Sequence, residues 1–338
     1  MTLLQTLLRA TAFKNPLLRT LVPSLALAYG IQTAVAVPSI AAQTEKYYDL
    51  SGSLTYLSCV GASLVLPYLR AQQAGAAAGG LVEYLSSKGL GQGVWWWRQA
   101  FLSAAVGIWA TRCIDKTKPV GTYLFSRISS DDGKDSRFDS IRTSPSKFYV
   151  AFFAQATWVS LCTLPVILVN SLPRNAFMAI GGIAPALAAK PYLTDLLGMA
   201  IFIFGLTFEI IADRQKSKWV ADKKAKKHSE EFLTHGLWAK SRHPNYFGES
   251  TLWTGIALAA AGVLVRQPAQ TALGLGGLGV TGKVLVTGLC AASPAFVTFL
   301  LLKVSGVPLS ENKYDKRYGD RKDYQKWKQE TPMFVPKF

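Results

Sequence analysis

The feature that most constrains this 338-residue chain is a set of long stretches without a single Asp, Glu, Lys or Arg. Apart from the glycine-rich stretch 267–282, five such stretches contain 16 to 26 residues each, and they cover residues 20–44, 51–69, 148–173, 250–265 and 284–302. A helix needs about 20 mainly apolar residues to cross the hydrocarbon core of a bilayer. The fourth stretch reaches that length if its helix begins a few residues earlier. The sequence therefore predicts five membrane-spanning helices.

Two further stretches carry charges only near their ends. Residues 94–111 contain one charge, Arg98, which we expect to reach the membrane surface along its aliphatic stem. Residues 192–212 contain Asp195 near their start and Glu209 near their end. Both stretches are long enough to span a membrane. The predicted fold is therefore an all-α, polytopic membrane helix bundle with about seven transmembrane helices.

Three other segments are predicted to be shorter elements. Residues 175–189 are too short for a span and are interrupted by glycine and proline, so we interpret them as re-entrant or interfacial. Residues 71–93 and 267–282 are rich in glycine, which is typical of mobile loops. None of the three changes the predicted number of spans.

The composition agrees with a membrane protein. Half of the residues are apolar and only 17% are charged, whereas about a quarter of the residues are charged in a soluble domain. This hydrophobicity excludes a disordered chain. The four cysteines form no Cys-x-x-Cys pair and the three histidines form no metal-binding motif, so neither a disulfide framework nor a metal site is predicted.

The net charge of +17 is unevenly distributed over the predicted loops. With seven spans, the loops on one side carry 27 Lys and Arg residues, and those on the side of the N-terminus carry 10. Cytoplasmic loops of membrane proteins are enriched in Lys and Arg. We therefore predict a cytosolic C-terminus and a luminal N-terminus, and we expect no nucleic-acid partner.

The predicted location of this multi-pass protein is the membrane of the endoplasmic reticulum. The first 44 residues contain no acidic residue but contain Arg9, Lys14 and Arg19. This pattern is also typical of a mitochondrial presequence. A mitochondrial membrane is therefore the alternative location.

The densest polar cluster lies where the chain re-enters the membrane, in Ser-Arg-His-Pro-Asn-Tyr-Phe-Gly-Glu at 241–249. Pro244 fits the first turn of a helix, with Ser241 as its cap. The N–H groups and positive dipole end of such a turn suit a phosphate, and Arg242 adds a bidentate donor. Glu249 lies deeper in the membrane, where a carboxylate indicates a functional role.

Polar residues also occur inside two other predicted spans. Glu209 and Asp213 are four residues apart and share one helix face, so they repel each other unless a cation or a ligand donor lies between them. Lys216 and Lys218 follow directly. Gln155 is predicted to face the bundle interior, because an amide is costly in lipid.

The C-terminal segment 309–336 alternates tyrosines, among them Tyr324, with charged residues. It is too aromatic for a disordered tail. We predict that it folds back on the cytosolic membrane face and closes over a flat, anionic ligand.

A set of motifs extends from residue 137 to the C-terminus. They are Phe138-Asp139, Pro145-Ser-Lys-Phe148, Gln155, Trp158, Leu164-Pro165, Glu209, Asp213, the nonapeptide 241–249, Arg317-Tyr-Gly-Asp, Tyr324 and Thr331-Pro-Met-Phe-Val-Pro. Together they resemble the DUF1295 branch of the steroid 5-alpha-reductase-like family. The resemblance divides the chain into an N-terminal membrane region at 1–136, with about three spans matched only by hydropathy, and a family domain at 137–338.

The resemblance implies a membrane-embedded, NADPH-dependent oxidoreductase that reduces a carbon–carbon double bond of a lipid or steroid-like enone. The cofactor would bind from the cytosol, and the lipid would enter from the bilayer. In the wider family the Asn-Tyr-x-Gly-Glu segment lines the nicotinamide, which assigns this role to Asn245, Tyr246 and Glu249. Arg242 and His243 resemble the Arg-His pair of sterol-reductase relatives.

Further roles follow from the same resemblance. Asp213 corresponds to an acidic residue beside the cofactor. The residues predicted to bind the phosphates and ribose of the cofactor are basic or aromatic: Lys216, Lys218, Arg242 and Tyr324. Tyr246 and Glu249 are the predicted catalytic residues: Tyr246 donates a proton or binds the substrate carbonyl, and Glu249 orients the nicotinamide amide or donates a proton.

The substrate side is less defined by the motifs. Steroid 5-alpha reductases use an additional Glu and Tyr of an early helix to polarise the substrate carbonyl. In this sequence Glu45, Tyr47, Tyr48 and Tyr56 are the candidates.

Two other functions fit the same motifs. The Arg-His-Pro-x-Tyr-x-Gly segment also occurs in isoprenylcysteine carboxyl methyltransferases, which bind S-adenosylmethionine at an equivalent helix turn. Glu249 directly after Gly248 favours the reductase. A non-enzymatic membrane protein that binds a lipid or sterol is the third interpretation.

Overall fold

The computed structural model describes residues 3–75, 79–86, 97–114, 138–173, 176 and 191–338. These residues contain α-helices and short turns and no β-strand. In chain order the α-helices are α1 (Leu3–Ala10), α2 (Pro16–Ala41), α3 (Tyr48–Gln73), α4 (Leu81–Ser86), α5 (Trp97–Ile114), α6 (Pro145–Asn170), α7 (Leu193–Lys224), α8 (Pro244–Leu264), α9 (Gln267–Ala272), α10 (Val280–Phe299), α11 (Val307–Tyr318) and α12 (Lys322–Glu330). The all-α prediction is confirmed.

Six helices in the described part of the chain are long and apolar enough to cross a membrane. They are α2, α3, α6, α7, α8 and the segment Val280–Tyr318, in which a π-helical turn, Leu300–Val304, joins α10 to α11. These helices correspond to six of the seven predicted spans, so the prediction of about seven is close. The chain is a multi-pass membrane helix bundle.

The remaining predicted span corresponds to α5, which is shorter and more polar. Arg98 at the start of α5 pairs with Asp195 at the start of α7, at 2.8 Å, and Arg112 near the end of α5 contacts Glu209. The two arginines are 14 residues apart on α5, and the two carboxylates are 14 residues apart on α7. This spacing is about 21 Å along a helix. α5 therefore runs parallel to α7 through the same depth of the bundle.

The prediction that Arg98 reaches the membrane surface is wrong. Its side chain is only 3% exposed and donates two hydrogen bonds to Asp195, at 2.9 and 2.8 Å. The guanidinium also lies over the rings of Trp97 and Tyr192. Because Asp195 supplies a negative charge inside the bundle, Arg98 keeps its charge compensated without extending to water.

Contacts between loops sort the chain into two faces. On the N-terminal face, Arg70 donates hydrogen bonds to the segment before α2, and the Arg266 guanidinium lies 4.3 Å from the centroid of the Tyr192 ring. On the C-terminal face, Arg142 and Glu45 form two hydrogen bonds of 2.7 Å. Asn15, just before α2, donates a hydrogen bond to the Leu273 carbonyl, and the chain crosses the bundle once more, through α10, before the C-terminal segment, so its two ends lie on opposite faces. Which face is cytosolic stays a prediction.

Some sequence predictions fall outside the described residues or differ from the structure. The predicted re-entrant segment 175–189, except Ala176, lies outside the described residues. The segment 71–93 contains α4 between parts that are not described. The segment 267–282 is not a simple loop, because it forms α9 with a proline in its first turn, a 3₁₀ turn and the start of α10.

The predicted orientation of Gln155 is confirmed. Gln155 is 7% exposed and faces α3, where the hydroxyl of Ser51 donates a hydrogen bond to its side-chain oxygen at 3.4 Å. The amide of Gln32 on α2 donates to Thr55 at 2.8 Å. These residues form a polar layer between α2, α3 and α6, and hydrogen bonds between side chains satisfy groups that lipid cannot.

The closest helix contact joins α7 and α8 through glycines spaced seven residues apart. A side chain on Gly255 of α8 would place its first carbon 2.5 Å from the Gly198 carbonyl oxygen of α7. A side chain on Gly205 would come 2.7 Å from the Gly248 oxygen. Small residues let membrane helices approach this closely. The contact fixes α8, and with it Glu249, against the carboxylates of α7.

We expect Gly255→Ala to destabilise the protein by roughly 1–3 kcal/mol, because the added methyl group must push α7 and α8 apart. The measurement is the thermal unfolding midpoint in detergent. Gly61→Ala is the matched control, since its added methyl group would meet no atom within 4 Å. Equal midpoints for the two variants would contradict the close contact.

Candidate functional site

One stripe of α8 carries polar side chains into the bundle. Asn245, Glu249 and Trp253 follow each other at four-residue intervals, so they lie on one face and descend by about 6 Å at each step. Glu249 is 7% exposed and Trp253 is fully buried. The side-chain oxygen of Asn245 is buried and has no hydrogen-bond partner among the described residues. The stripe leads from the C-terminal face to the bundle interior.

The start of α8 differs in one respect from the sequence prediction. Pro244 occupies the first turn as predicted, but Ser241 does not cap the helix, and His243 is the residue at the cap position. The Ser241 hydroxyl accepts a hydrogen bond from the His243 N–H and donates one to the Phe334 carbonyl at 2.8 Å. The C-terminal segment passes beside Ser241 and accepts the hydrogen bond from its hydroxyl.

The inner end of the stripe meets an aromatic cluster. The Trp253 ring lies 5.0 Å from that of Trp109 on α5 and 5.9 Å from that of Tyr56 on α3, measured between ring centroids. Cys162 on α6 lies beside Tyr56 and within electrostatic range of Glu249. Of the four substrate-side candidates, the structure places Tyr56 in this cluster. Glu45 pairs with Arg142, away from it.

The two carboxylates of α7 enclose a cation, as their spacing requires. The cation is Arg112, which contacts Glu209 and lies 3.2 Å from Asp213. Glu209 is 2% exposed and lies against Gly248, next to Glu249 in the chain. The basic residues that follow on α7 are not the partners: Arg214 and Lys218 are exposed.

A small recess, with a cavity volume of about 40 Å³, lies on the C-terminal face above α8. Four of the predicted cofactor residues line it: Lys216, Arg242, His243 and Tyr324. The other lining residues are mostly aromatic or apolar and include Trp219, Val220, Phe232, Leu233, Trp238, Ser310, Glu311, Tyr314 and Trp327. A recess of cations and flat rings suits an anionic ligand with aromatic groups.

Glu311 organises the cations of the recess. Its carboxylate accepts a hydrogen bond from Arg242 Nε at 3.0 Å, lies 2.9 Å from His243 Nε2 and pairs with Lys328 at 3.2 Å. The His243 ring also stacks on Tyr246, with 5° between the ring planes. Glu311 therefore fixes the orientation of the predicted Arg-His pair.

The C-terminal segment folds back over this face, as predicted. Arg242 donates hydrogen bonds from Nη1 to the carbonyls of Lys328 and Thr331, at 2.6 and 2.9 Å, and from its backbone N–H to Pro332. The backbone of Lys337 donates to the carbonyl of Lys240. Arg242 thus holds the segment in place through three carbonyls.

Tyr324 lies under the folded segment and is 2% exposed. Its hydroxyl donates a hydrogen bond to Asp315 at 2.8 Å, and Lys328 bonds to the same carboxylate at 2.6 Å. Burial, with the hydrogen bond to Asp315, raises the pKa of Tyr324 above its ordinary value. Burial lowers the pKa of Lys328, but its hydrogen bonds to Asp315 and Glu311 outweigh that effect and raise it. Tyr324 is therefore a neutral hydrogen-bond donor and Lys328 a cation.

The structure separates the predicted site residues into groups. Asn245, Tyr246 and Glu249 lie on one helix below the recess, whereas Asp213 is paired with Arg112 and Lys218 is exposed outside the recess lining. Four contributors were not predicted from the sequence: Trp253 on the same helix, and Arg112, Glu311 and Trp109 from distant segments. The signal for Arg112 was the need for a cation between two carboxylates. The described residues contain no group of three His, Cys, Asp or Glu that could hold a metal ion.

Comparison with known proteins adds one match. A model of the family described as "Protein of unknown function (DUF1295)" matches residues 75–331, which is more than half of the chain. The match begins well before residue 137, where the quoted motifs begin, and the division of the chain at that point stays a prediction. No curated protein and no solved structure matches the chain.

Proposed function

Because the chain belongs to the DUF1295 family, whose function is unknown, we propose a function from the site: an NADPH-dependent reductase of a carbon–carbon double bond in a lipid or steroid-like enone. The observation that carries the proposal is the stripe of Asn245, Glu249 and Trp253. It connects a basic, aromatic recess on the C-terminal face with an aromatic cluster at mid-depth. Such a path suits an anionic, water-soluble cofactor at one end and an apolar substrate at the other.

The residues present fit the nicotinamide end of this cofactor. A nicotinamide carboxamide carries two N–H donors. The buried side-chain oxygen of Asn245 is an acceptor that no described residue engages, and the Glu249 carboxylate is a second acceptor one turn deeper. The buried Asn245 oxygen, which has no partner among the described residues, is costly, so a ligand that donates a hydrogen bond to it is favoured at this place.

The residues of the recess fit the phosphate and ribose end. Lys216, whose ammonium lies 5.1 Å from the centroid of the Trp238 ring, supplies positive charge. Arg242 adds charge and is held in place by Glu311. Tyr324 adds a hydroxyl donor. Lys218 is one turn from the recess on the exposed face of α7, where it would attract the 2′-phosphate from solution.

Bound NADPH would supply the hydride for the reduction. The roles of the chain's own residues are to hold the carboxamide, exclude water and stabilise the charge that the enone oxygen gains. Glu249 orients the carboxamide, and Tyr246, which stacks on His243 at the mouth of the stripe, is the proposed proton donor. We further propose that the C-terminal face lies in the cytosol. The proposed location is the membrane of the endoplasmic reticulum, and a mitochondrial membrane is the alternative.

We expect NADPH to raise the unfolding temperature of the detergent-solubilised protein and S-adenosylmethionine to leave it unchanged. A ligand at a hundredfold excess over its dissociation constant stabilises the folded state by about 2.7 kcal/mol. The measurement is differential scanning fluorimetry with both ligands, and NADH is the control for recognition of the 2′-phosphate. A shift with S-adenosylmethionine alone would replace the reductase by a methyltransferase. No shift with any nucleotide would favour a non-enzymatic lipid-binding protein.

A further inference from the structure

The aromatic cluster at the inner end of the stripe contains two buried donors. Trp109 is 4% exposed and Trp253 is fully buried, and their rings meet edge to face at 5.0 Å between centroids. The indole nitrogen of each is buried and has no hydrogen-bond partner among the described residues. Tyr56, 4% exposed, packs against both rings. Three helices, α3, α5 and α8, thus bring aromatic side chains to one point.

An indole N–H can only donate, and leaving a buried donor without an acceptor is destabilising. Trp219 and Trp238 have acceptors in the protein: Trp219 donates to Glu230 at 2.9 Å, and Trp238 donates to the Ala212 carbonyl at 3.0 Å. Trp97, Trp158 and Trp327 also have buried indole nitrogens without a partner among the described residues, but Trp109 and Trp253 differ from them because they bring two such donors into contact. The unsatisfied pair therefore indicates a place for an acceptor that the protein itself does not provide.

The surroundings define the chemistry of that acceptor. The cluster lies in the apolar core, which also contains Leu252 and Ile256, so the body of the ligand must be apolar. Glu249, one turn above Trp253, disfavours a second negative charge. A neutral oxygen acceptor on an apolar body, the carbonyl of a lipid ketone or enone, meets both conditions.

We propose that Trp109 and Trp253 bind the carbonyl oxygen of the lipid substrate through their indole N–H groups, with Tyr56 packing against the adjoining ring. The assignment of this lipid as the substrate rests on the proposed reductase function, whereas the binding itself does not require NADPH. It places the carbonyl about 6 Å below Glu249 along α8. The double bond next to the carbonyl then lies near the level of Glu249. The two donors would also stabilise the negative charge that the oxygen gains during reduction.

The test uses protein labelled with ¹⁵N at the tryptophan indoles, in detergent and without NADPH. The probes are cholest-4-en-3-one and cholest-4-ene, which differ only in the carbonyl oxygen. We expect the ketone to move the indole N–H resonances of Trp109 and Trp253 downfield, because a new hydrogen bond deshields the proton. The hydrocarbon should not do so. Trp219 and Trp238 are internal controls, since their N–H groups already have partners.

Two variants separate binding from folding. Trp109→Phe and Trp253→Phe keep an aromatic ring but remove the donor, so each should weaken ketone binding roughly tenfold. Each also leaves a small cavity, so the unfolding temperature of the ligand-free protein should fall. Trp97→Phe is the matched control: it removes a buried indole nitrogen without a partner among the described residues, at the start of α5 and outside the cluster, and should bind the ketone as before.

Several results would overturn the proposal. Equal binding of the ketone and the hydrocarbon, or no binding of either, would remove the carbonyl site. Unmoved resonances would show that the two N–H groups bond to neighbouring ring faces. Unchanged ketone affinity in both phenylalanine variants would show that the indole N–H groups do not bind the carbonyl, whatever the loss of stability. Ketone binding without an NADPH response would retain this site and refute the reductase.

Discussion

Replacing Arg112 by leucine is expected to destabilise the protein by about 3–5 kcal/mol, because it leaves two carboxylates in the bundle without a cation. Glu209 and Asp213 are 2% and 9% exposed, and Arg112 is the basic residue that contacts both. The measurement is thermal unfolding in detergent. The same contact fixes the end of α5 to α7, so the variant should also loosen the packing of α5 against α7.

Two further variants test the cause of this loss. Arg214→Leu is the matched control. Arg214 follows Asp213 in the chain but is exposed, so its replacement should change the free energy of unfolding by no more than about 0.5 kcal/mol. Adding Glu209→Gln to Arg112→Leu should recover part of the stability, because one buried charge is then removed. An Arg112→Leu protein as stable as the unmodified one would show that the carboxylates are compensated in another way.

Glu249→Gln is expected to preserve the fold and to lower turnover at least a hundredfold, within the range typical of acid–base residues. The substitution keeps the shape of the side chain but removes its charge and its ability to exchange a proton. Turnover is measured as NADPH oxidation with an enone lipid, and stability as the unfolding temperature. Glu330→Gln, a substitution of an exposed carboxylate on α12, is the matched control and should change neither quantity.

The opposite outcome has a clear meaning. If Glu249 only maintained the helix arrangement, Glu249→Gln would lower stability and leave the remaining activity intact. A salt bridge between Glu249 and Arg242 is one structural role that the sequence allows. In the structure Arg242 instead bonds to Glu311 and to carbonyls of the C-terminal segment. A fully active, unstable Glu249→Gln protein would still remove Glu249 from the catalytic site.

The sequence by itself determined the membrane architecture. A span requires a fixed length of apolar residues, and this requirement can be read directly from a run such as 148–173. Gln155 within that run had to face inward because lipid offers an amide no partner. The fold-back of the C-terminal segment followed from its dense aromatic residues. In each case the environment acts on one segment at a time, so no knowledge of its neighbours was needed.

The sequence also selected the residues of α8, because a carboxylate at the depth of Glu249 is too costly to be incidental. It could not identify the partners of these residues. Arg112, Trp109 and Glu311 lie far away in the chain, and nothing in their local sequence shows which helices will be neighbours. The requirement for a cation near Glu209 and Asp213 was visible, but its source was not.

Only the tertiary structure determines which of several possible partners a buried polar side chain bonds to. The sequence predicts Ser241 as a helix cap, but in the structure its hydroxyl donates a hydrogen bond to the C-terminal segment. It predicts Arg98 at the membrane surface, but in the structure Arg98 pairs with Asp195 on α7. A polar group in a low-dielectric interior bonds to the best partner within a few ångströms, whatever its distance along the chain. Helix packing through Gly205 and Gly248 determines which partners are that close, and periodicity along one helix contains no information about it.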